Sequence, residues 1–216
     1  MKYAVMGTGS VGKAIGNKLL ALGHEVRMGS RTANNEAARA WVSEGGAKAS
    51  GGTFADAAAF GDAAFLAVKG EHALAVVAAA GEALDGKVLL DLTNPLDFSK
   101  GFPPRLFVCN DDSLGEQIQR AAPKVKVVKT FNTLANALMV DPARLGAPSD
   151  VFVAGNDAEA KKIAATVLSE MGHEAPIDMG NIEASRGLEA WLLLWARLYG
   201  VFGSADFNLK IVRPPS

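Results

Sequence analysis

Along most of the chain the spacing of apolar residues switches between a period of two and a period of 3.6. Short apolar runs predict strands over 2–7, 24–29, 47–49, 62–68, 86–92, 124–130, 150–155 and 173–178. Between and after them, apolar residues at i, i+3 and i+4 predict helices over 11–22, 34–45, 53–60, 70–84, 113–122, 134–140, 157–171 and 182–200. Several strands, such as AFLAV at 64–68 and KVLLDL at 87–92, are almost continuously apolar. That is the pattern of strands covered by helices on both faces. Strands alternating with helices predict an α/β fold with a doubly wound parallel sheet, of the Rossmann type, over residues 1–178. Residues 179–216 are expected to add a small C-terminal helical extension. Ligands of such sheets lie at the carboxyl ends of the strands, so the residues just after each strand matter most.

The first of these places carries glycines at 7, 9 and 12, in GTGSVG. The motif alone is weak evidence, but here it follows an N-terminal strand, opens a helix and leads into a second strand, which is the full context it needs. Gly7 permits a tight turn, Gly9 lets backbone approach a pyrophosphate, and Gly12 lets helix and strand pack closely. The helix start supplies free N–H groups and partial positive charge. The end of the second strand selects the nucleotide. An acid there accepts the ribose hydroxyls of NAD, but this chain has Gly29-Ser30-Arg31. Glu25 lies at the other end of the strand, about 16 Å away at roughly 3.3 Å per residue. Ser30 offers a hydroxyl and Arg31 a planar cation suited to phosphate, so NADP(H) is the expected cofactor.

Charge narrows the alternatives. The 216 residues hold 22 Lys and Arg against 23 Asp and Glu, with no basic cluster. Nucleic acid and membrane surfaces are therefore not expected partners. Lys124, Lys126 and Lys129 read as ordinary surface charge. The longest apolar run, from Trp191, is broken by Arg197 and is shorter than the ~18 residues of a spanning helix. A single cysteine, Cys109, precludes an intrachain disulfide and reads as a small buried residue. With no signal-like start, a cytoplasmic setting is expected. His24, His72 and His173 lack partners at metal-ligand spacing, so no metal is expected. Asp111-Asp112 reads as charge favouring a helix start.

The stretch GTGSVGKAIGNKLLALGHEVRMGSR resembles the coenzyme F420-dependent NADP oxidoreductase family, and more distantly the reductase domains of the STEAP proteins. The likeness continues through FLAVKGEHA at 65–73, DLTNPLDF at 91–98, VVKTFNTLAN at 127–136, VFVAGND, IDMGNIEASRGLE and NLKIV. It implies that Thr8, Ser10 and Val11 touch the pyrophosphate, with Ser30 and Arg31 at the 2′-phosphate. Val68, Lys69 and Asn94 would line the adenosine and ribose path. The second substrate would be a deazaflavin, coenzyme F420, or a flavin, laid on the nicotinamide beside Asn132, Thr133 and Leu134. The turn at 183–185, with Glu183 and Ser185, would close that pocket. Some members carry His where this chain has Asn132, and Ile in place of Leu134.

Hydride transfer between two such rings needs little from the protein beyond alignment and exclusion of water. Leu134 is expected to be an apolar wall, and Asn132 and Thr133 hydrogen-bonding residues. The C-terminal helix carries Trp191, Leu194, Trp195, Leu198 and Phe202 on one stripe, widened by Leu192, Leu193, Ala196 and Tyr199. A helix apolar on nearly all sides is expected to be buried between the sheet and a second subunit, giving a homodimer. Two other readings stand beside this one. An imine or carbonyl reductase would add an all-helical domain for which too little chain remains, and a non-enzymatic NADP-binding sensor would fill the space beside the nicotinamide.

Overall fold

The computed structural model describes residues 1–214. Strand β1 (Lys2–Met6) leads to α1 (Ser10–Ala21), β2 (Glu25–Ser30), α2 (Glu36–Gly45), β3 (Ala49–Thr53), α3 (Phe54–Phe60) and β4 (Ala63–Leu66). Then come α4 (Ala73–Ala80), β5 (Val88–Asp91), a hairpin of β6 (Leu96–Asp97) and β7 (Arg105–Leu106), α5 (Leu114–Ala121) and β8 (Lys126–Thr130). The chain finishes with α6 (Asn136–Val140), β9 (Phe152–Gly155), α7 (Ala158–Glu170), β10 (Ile177–Asp178) and α8 (Ser185–Phe202). Eight strands form one sheet in the order β10-β9-β8-β5-β4-β1-β2-β3.

Side-chain alternation explains the two covered faces. Tyr3 and Val5 of β1, Leu90 of β5 and Val128 of β8 pack with Ile15, Trp41, Leu138 and Val167 on one face. Their neighbours Ala4, Met6, Leu89 and Val127 pack with Ala57, Val76, Val77 and Ile118 on the other. α8 joins the second face, where Leu188 meets Phe152 and Ala154 of β9. The sheet is mostly parallel, as expected, but not wholly so. β8 pairs with β9 antiparallel, and β10 then runs parallel to β9. The connection between β8 and β9 carries α6 and a 3-10 turn at Pro142–Leu145 in place of one long crossover helix.

Several elements differ from their sequence pattern. β3 lies later than expected, at Ala49–Thr53, because its glycines weaken the strand signal. The helix expected over 70–84 is divided into a 3-10 turn, α4 and a second 3-10 turn, with Gly81 at φ 57° where α4 stops. The β6–β7 hairpin has no counterpart in the hydrophobic pattern. The expected burial of α8 is one-sided: Leu188, Leu192 and Ala196 are buried, whereas Leu193, Leu194, Val201 and Phe202 are exposed. No helix is long and apolar enough to cross a membrane among the described residues.

Candidate functional site

The glycine loop is built as the spacing requires. Gly7 has φ 135°, and a Cβ there would lie 2.3 Å from the carbonyl oxygen of Ala67 on β4's far end. A Cβ on Gly12 would lie 2.0 Å from the carbonyl of Gly7, so helix and loop touch directly. Gly9 is different: a Cβ there meets nothing within 4 Å. Its lack of a side chain serves no internal packing and leaves open space at the start of α1. That helix has Gly9 as its N-cap, no side-chain cap and no acid in its first turn. By contrast α2, α3, α5 and α7 are each capped by a side chain, from Asn35, Thr53, Ser113 and Asp157. α4, α6 and α8 also lack a side-chain cap, but at α1 the uncapped first turn adjoins the open space over Gly9, where the helix field favours an anion.

From this loop an open crevice runs in both directions. On one side Gly7, Thr8, Ser30, Arg31, Asn35, Val68 and His72 border a cavity of about 340 Å³. Arg31 is exposed there, at the end of β2. The Ser30 hydroxyl donates to the carbonyl of Thr32 at 2.7 Å, and the side chain is buried. That bond helps shape the turn, and Ser30 and Arg31 both border the cavity. Ser10, Val11, Val68, Lys69 and Leu92 continue the floor. Lys69 is exposed and lies 4.0 Å from Glu71.

On the other side the crevice widens into a chamber of about 660 Å³. Leu92, Leu134 and Met139 form its apolar wall, and Phe98 and Phe107 of the hairpin region face them; Asn94 supplies an amide. Leu134 thus lines the chamber, while Asn132 does not. Its side chain is buried, and its amide donates to Asn94 Oδ1 at 2.9 Å and to the Leu188 carbonyl at 3.0 Å. Asn94 returns a bond to the Asn132 carbonyl at 2.8 Å. Both amide hydrogens of Asn132 are spent on protein, so it holds Asn94 and does not face the chamber. Thr133 is buried as well. The turn at 183–185 does not close the chamber either. Ser185 is fully buried, and Glu183 pairs with Arg186 at 3.1 Å. The hairpin closes the chamber instead, because α8 is drawn beneath the loops by its packing on α5 and β9.

The sequence pattern also misplaced Lys129. It is fully buried, 2.7 Å from Asp91 and 2.8 Å from Glu189, and it donates to the Thr93 carbonyl at 2.8 Å. Burial disfavours its charge, but the two carboxylates outweigh that and hold its pKa above the ordinary lysine value. Glu189 also accepts from the backbone N–H of Leu114 at 2.9 Å and Gly115 at 3.0 Å, at the start of α5. The available signal was one charge of each sign at an interior position of two apolar strands, KVLLDL and VVKTF. Cys109 is exposed, not buried, because it lies in the loop after the hairpin. Asp112 pairs with Arg120 at 2.7 Å, which pulls its carboxyl down to about 2. It is Ser113 and Glu189 that satisfy the helix start.

Comparison with known proteins fits this geometry. The model of the family "NADP oxidoreductase coenzyme F420-dependent" matches residues 2–95. A crystal structure from Arthrobacter sp. FB24, given as a candidate F420-dependent NADP-reductase, is 48% identical, superposes with a TM-score of 0.93, and is matched over 99% of this chain and 100% of its own. The F420-dependent NADP reductase of Methanocaldococcus jannaschii is 35% identical over 138 residues, 62% of this chain and 60% of that relative, so the match spans under two thirds of its length. The rat metalloreductase STEAP3 is 28% identical over 196 residues, 88% of this chain and 36% of the longer protein. With its glycine loop, Arg31 and mostly parallel sheet, the chain belongs to the coenzyme F420-dependent NADP oxidoreductase family.

Proposed function

We propose that the chain transfers hydride between NADP(H) and a deazaflavin such as coenzyme F420, or a flavin, seated in the 660 Å³ chamber. One observation carries this reading. A single crevice joins the uncapped start of α1 and the exposed Arg31 to a largely apolar chamber of the size that ring-sized ligands occupy. The empty space over Gly9 and the free N–H groups beside it fit a pyrophosphate. When bound, the nicotinamide supplies the hydride chemistry.

The protein's part is positional. The amides of Ser10 and Val11 hold the pyrophosphate, with Thr8 beside them, and Arg31 grips the 2′-phosphate. Val68 and Lys69 border the path to Asn94, whose amide marks where the two rings meet. Leu134 and Met139 back one ring, while Phe98 and Phe107 shield the other from water. Two carboxylates border the chamber, Asp97, which accepts from Ser99, and Glu71, which lies beside Lys69 and His72, and ring-to-ring transfer does not call for a general base from either. The outward apolar face of α8 is the surface assigned to self-association as a homodimer. The reading is tested by following pyridine-nucleotide oxidation with a fixed acceptor. NADPH should support turnover at least about tenfold better than NADH, the least that one charged contact of ~1.5 kcal/mol gives. Equal rates would remove Arg31 from the cofactor site.

A further inference from the structure

α8 contributes no residue to the chamber's lining, yet its first turns are wired to the loop that forms the chamber's floor. Two adjacent residues begin the connection. The Leu188 carbonyl accepts from Asn132, whose amide also donates to Asn94 Oδ1, at 3.0 and 2.9 Å. The Glu189 carboxylate pairs with Lys129, whose ammonium also donates to the Thr93 carbonyl, each at 2.8 Å. The two links end on neighbouring residues of one loop. Asp91 completes the arrangement: its Oδ1 accepts from the Thr93 N–H at 2.9 Å and the Thr93 hydroxyl at 2.6 Å. At its far end α8 sets Tyr199 against Phe102 at the tip of the hairpin region, with ring centroids 5.9 Å apart. One helix is therefore linked to the loop at 92–96 through Asn132 and Lys129, and touches the tip of the hairpin region whose Phe98 and Phe107 line the chamber.

We infer that Lys129 and Asn132 are positioning residues, which relay the seating of α8 to residues 92–96 and so fix Asn94 against the second substrate. The inference rests on the chamber reading above. Stability alone is a poor reason for this construction. A buried lysine with two carboxylates is commonly no better than apolar side chains of the same volume. What the charged group provides and an apolar cluster does not is direction. The ammonium donates to the Thr93 carbonyl while it sits 2.7 Å from Asp91 and 2.8 Å from Glu189, so the backbone of the loop is tied to α8 through one buried cation. The reciprocal amide pair does the same for the next residue. Asn94 then faces the chamber with its carbonyl and one N–H already committed, which limits its side chain to a single orientation.

The test compares wild type with Lys129→Met/Glu189→Gln and with Asn132→Ala. The double variant removes one buried cation and one buried carboxylate together, so the net buried charge is unchanged. NADPH affinity, kcat and KM for oxidised F420 or FMN, and amide hydrogen exchange are measured on each protein. Misplacement of a reacting group by an ångström lowers rate by about tenfold to a hundredfold. The expected result is a kcat loss of that size with NADPH affinity within about twofold, since the glycine loop and Arg31 touch neither link. Exchange should quicken at residues 92–96 and stay unchanged at α1. Parallel losses in NADPH affinity and kcat would mean a general structural role and overturn the inference, as would unchanged kcat in both variants. If the double variant does not fold, Asn132→Ala decides. If wild type turns over no acceptor, the chamber reading fails by itself, and exchange decides: faster exchange at 92–96 supports the relay, and unchanged exchange overturns it.

Discussion

Lys129 stands opposite Asp91 in the register of β8 and β5, 2.7 Å away, with both side chains fully buried. Removing one member of such a group leaves an uncompensated buried charge, which costs about 3–5 kcal/mol. Lys129→Met alone should lower the melting temperature by roughly 6–20 °C for a chain of this size. Adding Glu189→Gln should recover part of the loss, because the two residues are in contact. The sign with pH follows from the raised lysine pKa. The stabilisation is fully present below the unfolded value of about 10.4 and is lost as pH rises through the higher folded value. Thermal melts from neutral to alkaline pH check both statements.

Gly9 and Gly12 should separate binding from folding. A Cβ at Gly12 lies 2.0 Å from a backbone oxygen, whereas one at Gly9 meets nothing within 4 Å. Gly12→Ala is expected to destabilise the apo protein by about 2 kcal/mol or more. Gly9→Ala should leave apo stability within about 0.5 kcal/mol. Yet Gly9→Ala should weaken NADPH at least about tenfold, or 1.4 kcal/mol. Melting with and without NADPH distinguishes the two. A Gly9→Ala protein that keeps full affinity would place the pyrophosphate elsewhere.

Arg31→Asp is expected to act on one nucleotide only. Loss of a charge-assisted contact costs about 1.5–3 kcal/mol. Because Arg31 is exposed, solvent screening favours the lower end of that range. Fluorescence titration should show NADPH affinity falling by about tenfold or more, with NADH affinity almost unchanged. Equal losses for both nucleotides would refute the 2′-phosphate assignment.

Leu134→Trp should fill the chamber beside the nicotinamide. Leu134 lines that space and is 6% exposed. Turnover should be abolished while NADPH affinity stays within about threefold, under 0.7 kcal/mol. Surviving turnover would move the second ring to another face.

The parts legible in the sequence are those fixed by local spacing. The glycine loop, the helix that follows it and Arg31 lie within one βαβ unit, so chain order alone brings them together. Leu134 borders the chamber because it follows a strand end. Strand direction is not legible, since the same alternation serves either sense and the segment between β8 and β9 is long enough for either. The burial of Lys129 is hidden for a related reason. A lone lysine in a strand looks solvent-facing until the register sets it beside Asp91, and Glu189 arrives from a distant helix. The inward side of Asn132 is not legible because sequence does not show that both of its amide hydrogens are taken. On α8 the apolar residues outnumber what the sheet can cover. The buried side is set by Leu188, Leu192 and Ala196 together with a carboxylate, a combination that hydrophobic periodicity does not select.

The central claim is that a second redox ring accepts hydride in the chamber beside Leu134 and Asn94. It is tested most directly by mixing the purified protein with NADPH and, in separate anaerobic cuvettes, oxidised F420, FMN and FAD, and following absorbance. Loss of the acceptor band in step with NADPH, for F420 or for a flavin, is the predicted result. Tight NADPH binding with no oxidation by any of the three would contradict it.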